Sequence, residues 1–139
     1  LTRADALRMP ETNRSAVNRW ECDANDHMNS RFYLARYSEC QGHMWAHAGL
    51  DRQSQKAKGL ATATVEMRLA YFSELKAGQT LFVRTGLEAL SDKTLRYRHW
   101  MFNAETHAPV AAAEGTALLI SRETRAAVSL PPEIRARLG

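Results

Sequence analysis

The hydrophobic and polar positions of the chain follow two kinds of pattern, one helical and one extended. Apolar and aromatic residues recur at three- and four-residue steps over Ser30–Ala48, which predicts a long helix that Gly49 ends. Leu34 and Ala35 widen the apolar stripe, so we expect this helix to be covered on most sides. Gly42 in its middle predicts that another backbone passes close to it.

The extended pattern fills most of the second half of the chain. A polar stretch, Asp51–Gly59, is expected to be a loop, and Ser15–Trp20 alternates loosely enough to be a short first strand. Four longer segments are rich in Val, Thr, Leu and aromatic residues and predict strands over Leu60–Phe72, Thr80–Leu90, Thr94–Phe102 and Pro109–Ser121. Short polar links of hairpin length join the four, at Lys76–Gly78, Ser91–Lys93 and Asn103–Thr106, so the sheet is expected to be antiparallel. The Pro131-Pro132 pair opens a short C-terminal helix.

The order of elements is strand, long helix and four strands, which is an α+β arrangement without internal repeats. Helix and sheet each have an apolar face that must be buried against the other. We therefore predict one domain over residues 1–139, with a five-stranded antiparallel sheet packed on one long helix. A sheet wrapped around that helix fits this pattern, and other α+β sandwiches fit it nearly as well.

Composition and charge narrow the class of protein. A chain of 139 residues with 45% hydrophobic and 24% charged residues has the profile of a soluble globular domain, and no apolar run is long enough to cross a membrane. The N-terminal stretch lacks the apolar segment of a secretory signal. The net charge of +4 favours an anionic partner, but the arginines are scattered rather than clustered. We expect a phosphate-bearing small molecule rather than nucleic acid.

Cysteine and histidine give weaker signals. Cys22 and Cys40 do not make a disulfide framework or a zinc site, which predicts a reducing, cytoplasmic location. Cys22 is expected to face away from Asp23 along an alternating strand and to serve in packing. His43 and His47 stand one helical turn apart, but no third ligand is evident, so no metal site is predicted.

The most informative segment is Trp20–Ser30, which reads WECDANDHMNS and is followed by aromatic residues in the helix. It resembles the signature of the 4-hydroxybenzoyl-CoA thioesterase-like branch of the hotdog superfamily. In that signature a strand ends in Asp-x-Asp, a Gly-His-Val-Asn-like turn follows, and the next helix carries an aromatic residue. Asp23 matches the second Asp, His27 and Asn29 match the turn, and Tyr33 matches the aromatic residue.

Two positions depart from the signature. Glu21 stands where the first Asp is usual, and Asp26 stands where Gly is usual, although Asp tolerates a left-handed backbone better than most residues. A second similarity lies in Phe72–Gln79, which resembles the strand-turn of the same family. The resemblance extends over most of the chain between residues 15 and 120. It implies a hotdog fold, acyl-CoA as substrate, no cofactor beyond the coenzyme A of that substrate, and a homodimer or homotetramer.

The resemblance also implies roles for the residues of the motif. Thioester hydrolysis needs a carboxylate that attacks the carbonyl or activates water, together with donors for the oxyanion. Asp23 is expected to be that carboxylate, as nucleophile or general base, and His27 is expected to support it. The donors are expected to be free backbone N–H groups near Ser30 and Arg31, at the start of the helix.

Substrate contacts are expected from both parts of the chain. Asn29 and Tyr33 belong to the motif, although Asn29 is better explained as the helix N-cap than as a catalytic group. Thr64 and Glu66 are candidates by analogy with the fold, because their strand would pass near the helix start of a partner subunit. Ordinary polar positions on a strand explain these two residues better.

Two other functions remain open from the sequence. A hotdog hydratase or dehydratase would use an Asp–His pair on the same kind of substrate, and Asp23 with His27 keeps that possible. A non-catalytic acyl-CoA-binding protein or assembly subunit would keep the fold without turnover, because a fold does not fix a function.

Overall fold

The computed structural model describes residues 3–138 and contains one long helix packed on one antiparallel sheet. The strands are β1 (Glu11–Ala16), β2 (Leu60–Tyr71), β3 (Thr80–Leu90), β4 (Thr94–Asn103), β5 (Pro109–Ser121) and β6 (Ala127–Val128). The helices are α1 (Arg3–Ala6), α2 (Ser30–His47), α3 (Arg52–Ala57) and α4 (Pro132–Leu138). Five strands lie in the order β1-β3-β4-β5-β2, and the two-residue β6 pairs with β5. The predicted α+β hotdog architecture is confirmed.

The topology places the helix between the two edge strands. β3, β4 and β5 follow one another as antiparallel hairpins in the middle of the sheet. The expected hairpin between β2 and β3 was wrong, because β4 and β5 lie between these two strands. β1 pairs with β3 at one edge and β2 pairs with β5 at the other, so the chain must cross the whole sheet between them. That crossing contains α2, which therefore starts beside one edge of the sheet and packs across its concave face.

The core lies between α2 and the sheet and has two parts. Tyr33, Tyr37 and Cys40 of α2 pack on the first part, and Met44 and Trp45 pack on the second. Close approach at the sheet is made possible by one glycine: a Cβ atom at Gly115 would lie 2.2 Å from the Tyr97 hydroxyl oxygen. The aromatic ring of Tyr97 thus lies directly on the backbone of β5.

The first strand and the segment after α2 differ from those expected. β1 covers Glu11–Ala16 rather than Ser15–Trp20, and a 3₁₀ turn at Arg19–Glu21 replaces the end of the predicted strand. The turn forms because Glu21 accepts hydrogen bonds from the backbone and side-chain nitrogens of Asn18, at 2.9 and 3.1 Å. The predicted loop after α2 contains α3, whose first turn is capped by Asp51, an acceptor for Ser54 N–H at 2.8 Å.

The expectation that α2 is covered on most sides was wrong for the single chain. The sheet packs on one side of α2, and the opposite side is exposed, including Leu34 at 44%. Gly42 lies on that exposed side, where an added Cβ would meet no atom within 4 Å, so no backbone approaches it. Helical periodicity shows how wide an apolar stripe is, but it does not show whether one sheet can cover it. Within residues 3–138, no helix is long and apolar enough to cross a membrane.

Candidate active site

The loop between the 3₁₀ turn and α2 is held by backbone hydrogen bonds on both sides. Met28 N–H donates to the Leu75 carbonyl at 2.7 Å, which ties the loop to the segment after β2. Asp23 N–H donates to the His27 carbonyl at 3.1 Å and closes the turn. Asp26 has a left-handed backbone with φ of 62°, the conformation that the usual glycine would adopt. Asp thus fills this position of the motif without changing the turn.

A buried ion pair fixes the start of this loop to α2. Glu21 and Arg36 are both buried, and their carboxylate and guanidinium groups form a two-point contact, with Arg36 Nη2 donating to Glu21 Oε1 at 2.9 Å. Hydrogen bonding by Arg36 is the main reason that the pKa of Glu21 is lowered. Arg36 also donates to the Ala16 carbonyl at 3.1 Å, at the end of β1. The glutamate that departs from the family pattern is therefore a structural anchor.

The carboxylate of Asp23 is half-buried and held by two donors. Asn25 N–H donates to Oδ1 at 2.9 Å, and the side-chain amide of Asn29 donates to Oδ2 at 3.2 Å. The Asn25 N–H, then the Asn29 amide, lower the pKa of Asp23, because both hydrogen bonds favour the charged form. Asp23 is consequently ionised at neutral pH, as a nucleophile or a general base must be.

Asn29 is the N-cap of α2, as expected. Its side-chain oxygen accepts from Arg31 N–H at 3.2 Å, so the Arg31 N–H is not free, contrary to the prediction. Within residues 3–138, no acceptor pairs with the N–H of Ser30, the first residue of the helix. The capping geometry thus leaves Ser30 N–H as the free donor where the positive end of the helix dipole lies.

A cavity of about 240 Å³ opens in front of Asp23 and the start of α2. It brings together five of the predicted residues, Asp23, His27, Asn29, Ser30 and Tyr33. Met28 and three residues from the end of β2 and the following segment complete the lining: Tyr71, Ser73 and Glu74. The cavity is a pocket formed by two parts of the chain, whose nearest members, Tyr33 and Tyr71, are 38 positions apart in sequence.

The walls of the pocket are aromatic and acidic. The rings of Tyr33 and Tyr71 meet edge to face, with centroids 5.2 Å apart. Burial is the main cause that raises the pKa of Tyr33 to about 12, so its hydroxyl stays protonated. His27 Nε2 lies 3.7 Å from Glu74 Oε1, which is an ion pair whenever the imidazole is protonated.

Three predicted contact residues lie outside this pocket within the single chain. Arg31 points away, with its guanidinium 4.7 Å from the centre of the Phe32 ring. Thr64 donates to the Gln41 side-chain oxygen at 2.5 Å, in the middle of α2. Glu66 lies in a separate charged cleft of the sheet with arginine neighbours. The chain therefore does not bring Thr64 or Glu66 to its own Asp23.

Comparison with known proteins identifies the family of the chain. Residues 17–138 match the family model of the thioesterase-like superfamily. The chain belongs to this superfamily. The family resemblance expected from the motif is confirmed.

Two named proteins are similar to this chain in sequence. The chain is 33% identical over 118 residues to the L-carnitine dehydrogenase/betainyl-CoA thioesterase of Agrobacterium fabrum, covering 85% of this chain and 24% of that protein. It therefore spans about a quarter of that relative's length. It is 30% identical over 116 residues to the betainyl-CoA thioesterase of Pseudomonas aeruginosa, covering 84% of this chain and 73% of that protein.

A solved structure confirms the fold of this thioesterase-like chain. A hypothetical protein from Staphylococcus aureus, solved in complex with CoA, superimposes with a TM-score of 0.85 at 19% identity. The superposition covers 93% of this chain and 82% of the other. At this level of identity the likeness concerns the fold alone.

Sequence reasoning missed the pocket residues Tyr71, Ser73 and Glu74. A signal was present, because Phe72–Gln79 resembles the strand-turn of the family, yet no role was predicted for it. The Met28–Leu75 backbone bond explains why this segment matters, since it holds the turn after β2 against the loop that carries Asp23.

The remaining candidate groups lie elsewhere. Cys22 is not part of the pocket lining, and it packs beside the first part of the core. Cys40 is buried, and burial raises the pKa of its thiol to about 12, so it is unreactive at neutral pH. His43 and His47 line a different cavity at the other end of α2. Among the residues that the structure describes, no group of three or more His, Cys, Asp or Glu side chains is arranged to hold a metal ion.

Proposed function

We propose that the chain hydrolyses an acyl-CoA thioester to the free acid and coenzyme A. One observation carries this proposal: the ionised Asp23 carboxylate and the free Ser30 N–H line the same pocket. Thioester hydrolysis needs those two groups together, one to start the attack and one to stabilise the oxyanion. Membership of the thioesterase-like superfamily supports the same reaction.

The chemistry can follow either of two routes from Asp23. As general base, Asp23 takes a proton from water while the water oxygen adds to the acyl carbon, and collapse of the intermediate breaks the C–S bond. As nucleophile, Asp23 adds to the acyl carbon and forms an anhydride that water then hydrolyses. In both routes coenzyme A leaves as a thiolate and takes up a proton, and the Ser30 N–H faces the developing oxyanion.

The other residues of the motif position the Asp23 carboxylate and the acyl group. Asn29 positions the Asp23 carboxylate through the 3.2 Å hydrogen bond and caps the helix through Arg31 N–H. His27 lines the same pocket, with Nε2 3.7 Å from Glu74 Oε1. It has a supporting role, and Asp23 remains the group that attacks the acyl carbon or takes the proton. Tyr33 forms the buried wall against which the acyl group packs.

The named relatives indicate which acyl group to test, and the proposed reaction determines the cofactor requirement. Both relatives are named for betainyl-CoA, which makes betainyl-CoA the first substrate to test. The reaction needs no cofactor, since coenzyme A enters and leaves as part of the substrate.

Assembly into a homodimer or homotetramer completes the site. β2 is an edge strand of twelve residues whose outer side is unpaired among the described residues, and Val65 in its middle is 59% exposed. Pairing of β2 with a second copy would cover this edge and the exposed side of α2. It would also bring Thr64 and Glu66 toward the pocket of the other subunit, which is the role expected for them.

Free-thiol release from a small panel of acyl-CoA substrates tests the activity directly. We expect thiol release together with the corresponding free acid. Hydrated or dehydrated acyl-CoA products without thiol release would favour the hydratase class. Binding without any product would favour a non-catalytic acyl-CoA-binding protein.

A further inference from the structure

The pocket in front of Asp23 has an uneven charge. Two carboxylates line it, Asp23 and Glu74, and neither lysine nor arginine is found among the described residues of its lining. His27 is the one basic side chain there and lies 3.7 Å from Glu74. The chain as a whole carries a net charge of +4, so the acidity of the pocket is local. Such a site repels an acyl group that carries a carboxylate and attracts one that carries a cation.

The aromatic side chains of the pocket also favour a cationic acyl group over a neutral or anionic one. Tyr33 is 3% exposed and forms the inner wall, whereas Tyr71 is 49% exposed and stands at the opening. Their rings are nearly perpendicular, with an interplanar angle of 87°. In such an edge-to-face pair the faces of the two rings point in different directions. The faces of aromatic rings attract cations, including quaternary ammonium groups.

We propose that this pocket selects acyl groups that carry a permanent positive charge, and that Tyr33, Tyr71 and Glu74 form the subsite that reads it. The inference rests on the proposed thioester hydrolysis and adds the class of acyl group and the residues that recognise it. A quaternary ammonium cannot donate a hydrogen bond, so ring faces and a nearby carboxylate are the groups suited to bind it.

The length of the acyl group limits where its charge can lie. In a betainyl thioester a single methylene separates the trimethylammonium nitrogen from the carbonyl carbon. If the carbonyl is held between Asp23 and Ser30 N–H, the ammonium must stay within the same small pocket. Tyr33, Tyr71 and Glu74 are the aromatic and acidic members of the rest of its lining, which also contains His27, Met28, Asn29 and Ser73. The start of α2 faces the carbonyl oxygen, so its partial positive charge acts on the oxyanion rather than on the ammonium.

The test uses two substrates of the same shape and different charge. Betainyl-CoA carries the trimethylammonium group, and 3,3-dimethylbutyryl-CoA replaces that nitrogen by carbon, so that size is kept and charge is lost. The readout is the ratio of the two kcat/KM values, measured by thiol release on the full chain. The ammonium also activates the neighbouring carbonyl of betainyl-CoA, so the ratio is divided by that of the uncatalysed hydrolysis rates. We expect a corrected ratio of about tenfold or more in favour of the cationic substrate, as a desolvated cation–π contact provides.

Single-residue variants test which side chains cause the preference for the cationic substrate. Tyr71→Leu removes the ring face and should lower the ratio several-fold, whereas Tyr71→Phe keeps the face and should retain it. Glu74→Gln removes the charge with little change in shape and should also lower the ratio. Glu123→Gln makes the same change at an exposed carboxylate in the turn between β5 and β6, and should leave the ratio at the wild-type value.

The outcomes separate this inference from the proposed function. Equal turnover of both substrates by the wild-type protein, or a ratio that Tyr71→Leu and Glu74→Gln leave unchanged, would overturn the inference while the hydrolysis stands. If neither thioester is hydrolysed, the proposed function fails for these substrates, and both intact ligands can be titrated calorimetrically. Tighter binding of betainyl-CoA would then support the subsite, and equal binding would overturn it.

Discussion

Asn29 donates a hydrogen bond from its side-chain amide to Asp23 Oδ2 at 3.2 Å, while its side-chain oxygen caps α2 through Arg31 N–H. One side chain therefore sets the position of the carboxylate relative to the first turn of the helix. The expected N-cap residue therefore also holds the expected catalytic carboxylate. This link makes the carboxylate and the free Ser30 N–H parts of one rigid unit.

Replacing Asp23 by Asn is expected to lower kcat by about 100-fold or more, because Asn can neither attack as a carboxylate nor take a proton. His27→Ala should lower it less. Asp51→Asn is the matched control, since Asp51 caps α3 and Asn caps a helix as well as Asp. Thiol-release kinetics on folded proteins check this. Near-wild-type turnover by Asp23→Asn would return Asp23 to a structural role.

Replacing Ser30 by Pro should remove the oxyanion donor and leave the helix intact. Ser30 is the first helical residue, where Pro is well tolerated, and Asn29 already has the extended backbone that precedes a proline, with φ of −69° and ψ of 147°. Ser30→Ala keeps the N–H and serves as the control. We expect Ser30→Pro to lower kcat by about 10²–10³-fold, as loss of one oxyanion donor does. Similar rates for the two variants would exclude Ser30 N–H from the reaction.

Replacing Arg36 by Met should be strongly destabilising, because it leaves the Glu21 carboxylate buried without its partner. The expected loss in the free energy of unfolding is about 3–5 kcal/mol, measured by denaturant titration. The double variant Glu21→Gln/Arg36→Met should recover part of that loss, since no unpaired charge is left. Lys58→Met breaks an exposed pair with Glu133 and should cost at most about 1 kcal/mol. Equal losses for Arg36→Met and Lys58→Met would contradict a structural role for the buried pair.

Acid should destabilise the fold through His99, which is fully buried between the rings of Tyr37 and Tyr97. Burial lowers the pKa of His99 to about 3, whereas an unfolded histidine has a pKa of about 6.5. Between those values the unfolded chain binds a proton that the folded chain does not. Stability is therefore retained above about pH 6.5 and falls as pH drops, by about 1.4 kcal/mol per pH unit from this group.

His99→Phe removes the titrating group and keeps a ring between the two tyrosines. Unfolding free energies measured from pH 8 to pH 4 should fall less steeply for this variant than for the wild type. The variant also loses the hydrogen bond between His99 Nδ1 and the Thr85 hydroxyl, which are 2.7 Å apart, and this loss lowers stability at every pH. Each profile is therefore compared with its own unfolding free energy at pH 8. Parallel pH profiles would show that His99 does not control the acid sensitivity.

The molecular mass in solution should be that of a dimer or a tetramer at micromolar concentration. Val65→Lys places a charge in the middle of the exposed edge of β2 and should shift the mass toward the monomer. Gln53→Lys adds the same charge on exposed α3 and should leave the mass unchanged. Sedimentation analysis distinguishes these results, and a strictly monomeric wild type would argue against a site shared between subunits.

Local patterns predicted the long helix and most of the strands, and the resemblance of the motif predicted the hotdog arrangement and the centre of the candidate site. Periodicity gave α2 within one residue of its end, and the turn residues between strands gave the β3–β4–β5 hairpins. The spacing from Asp23 to Ser30 predicted that a carboxylate would stand before a helix start, because a turn and an N-cap are specified by neighbouring residues. These features depend on residues that are close in sequence, which is why the sequence by itself determined them.

Only the tertiary structure decided which distant residues join that centre. Tyr71 and Glu74 reach the pocket because the Leu75 carbonyl accepts a hydrogen bond from Met28 N–H. Glu21 is anchored because Arg36 of α2 donates hydrogen bonds to its carboxylate. The exposed side of α2 likewise depends on how far one sheet can extend around a helix. Each of these contacts depends on the path of the chain and the register of the strands, and local periodicity contains neither.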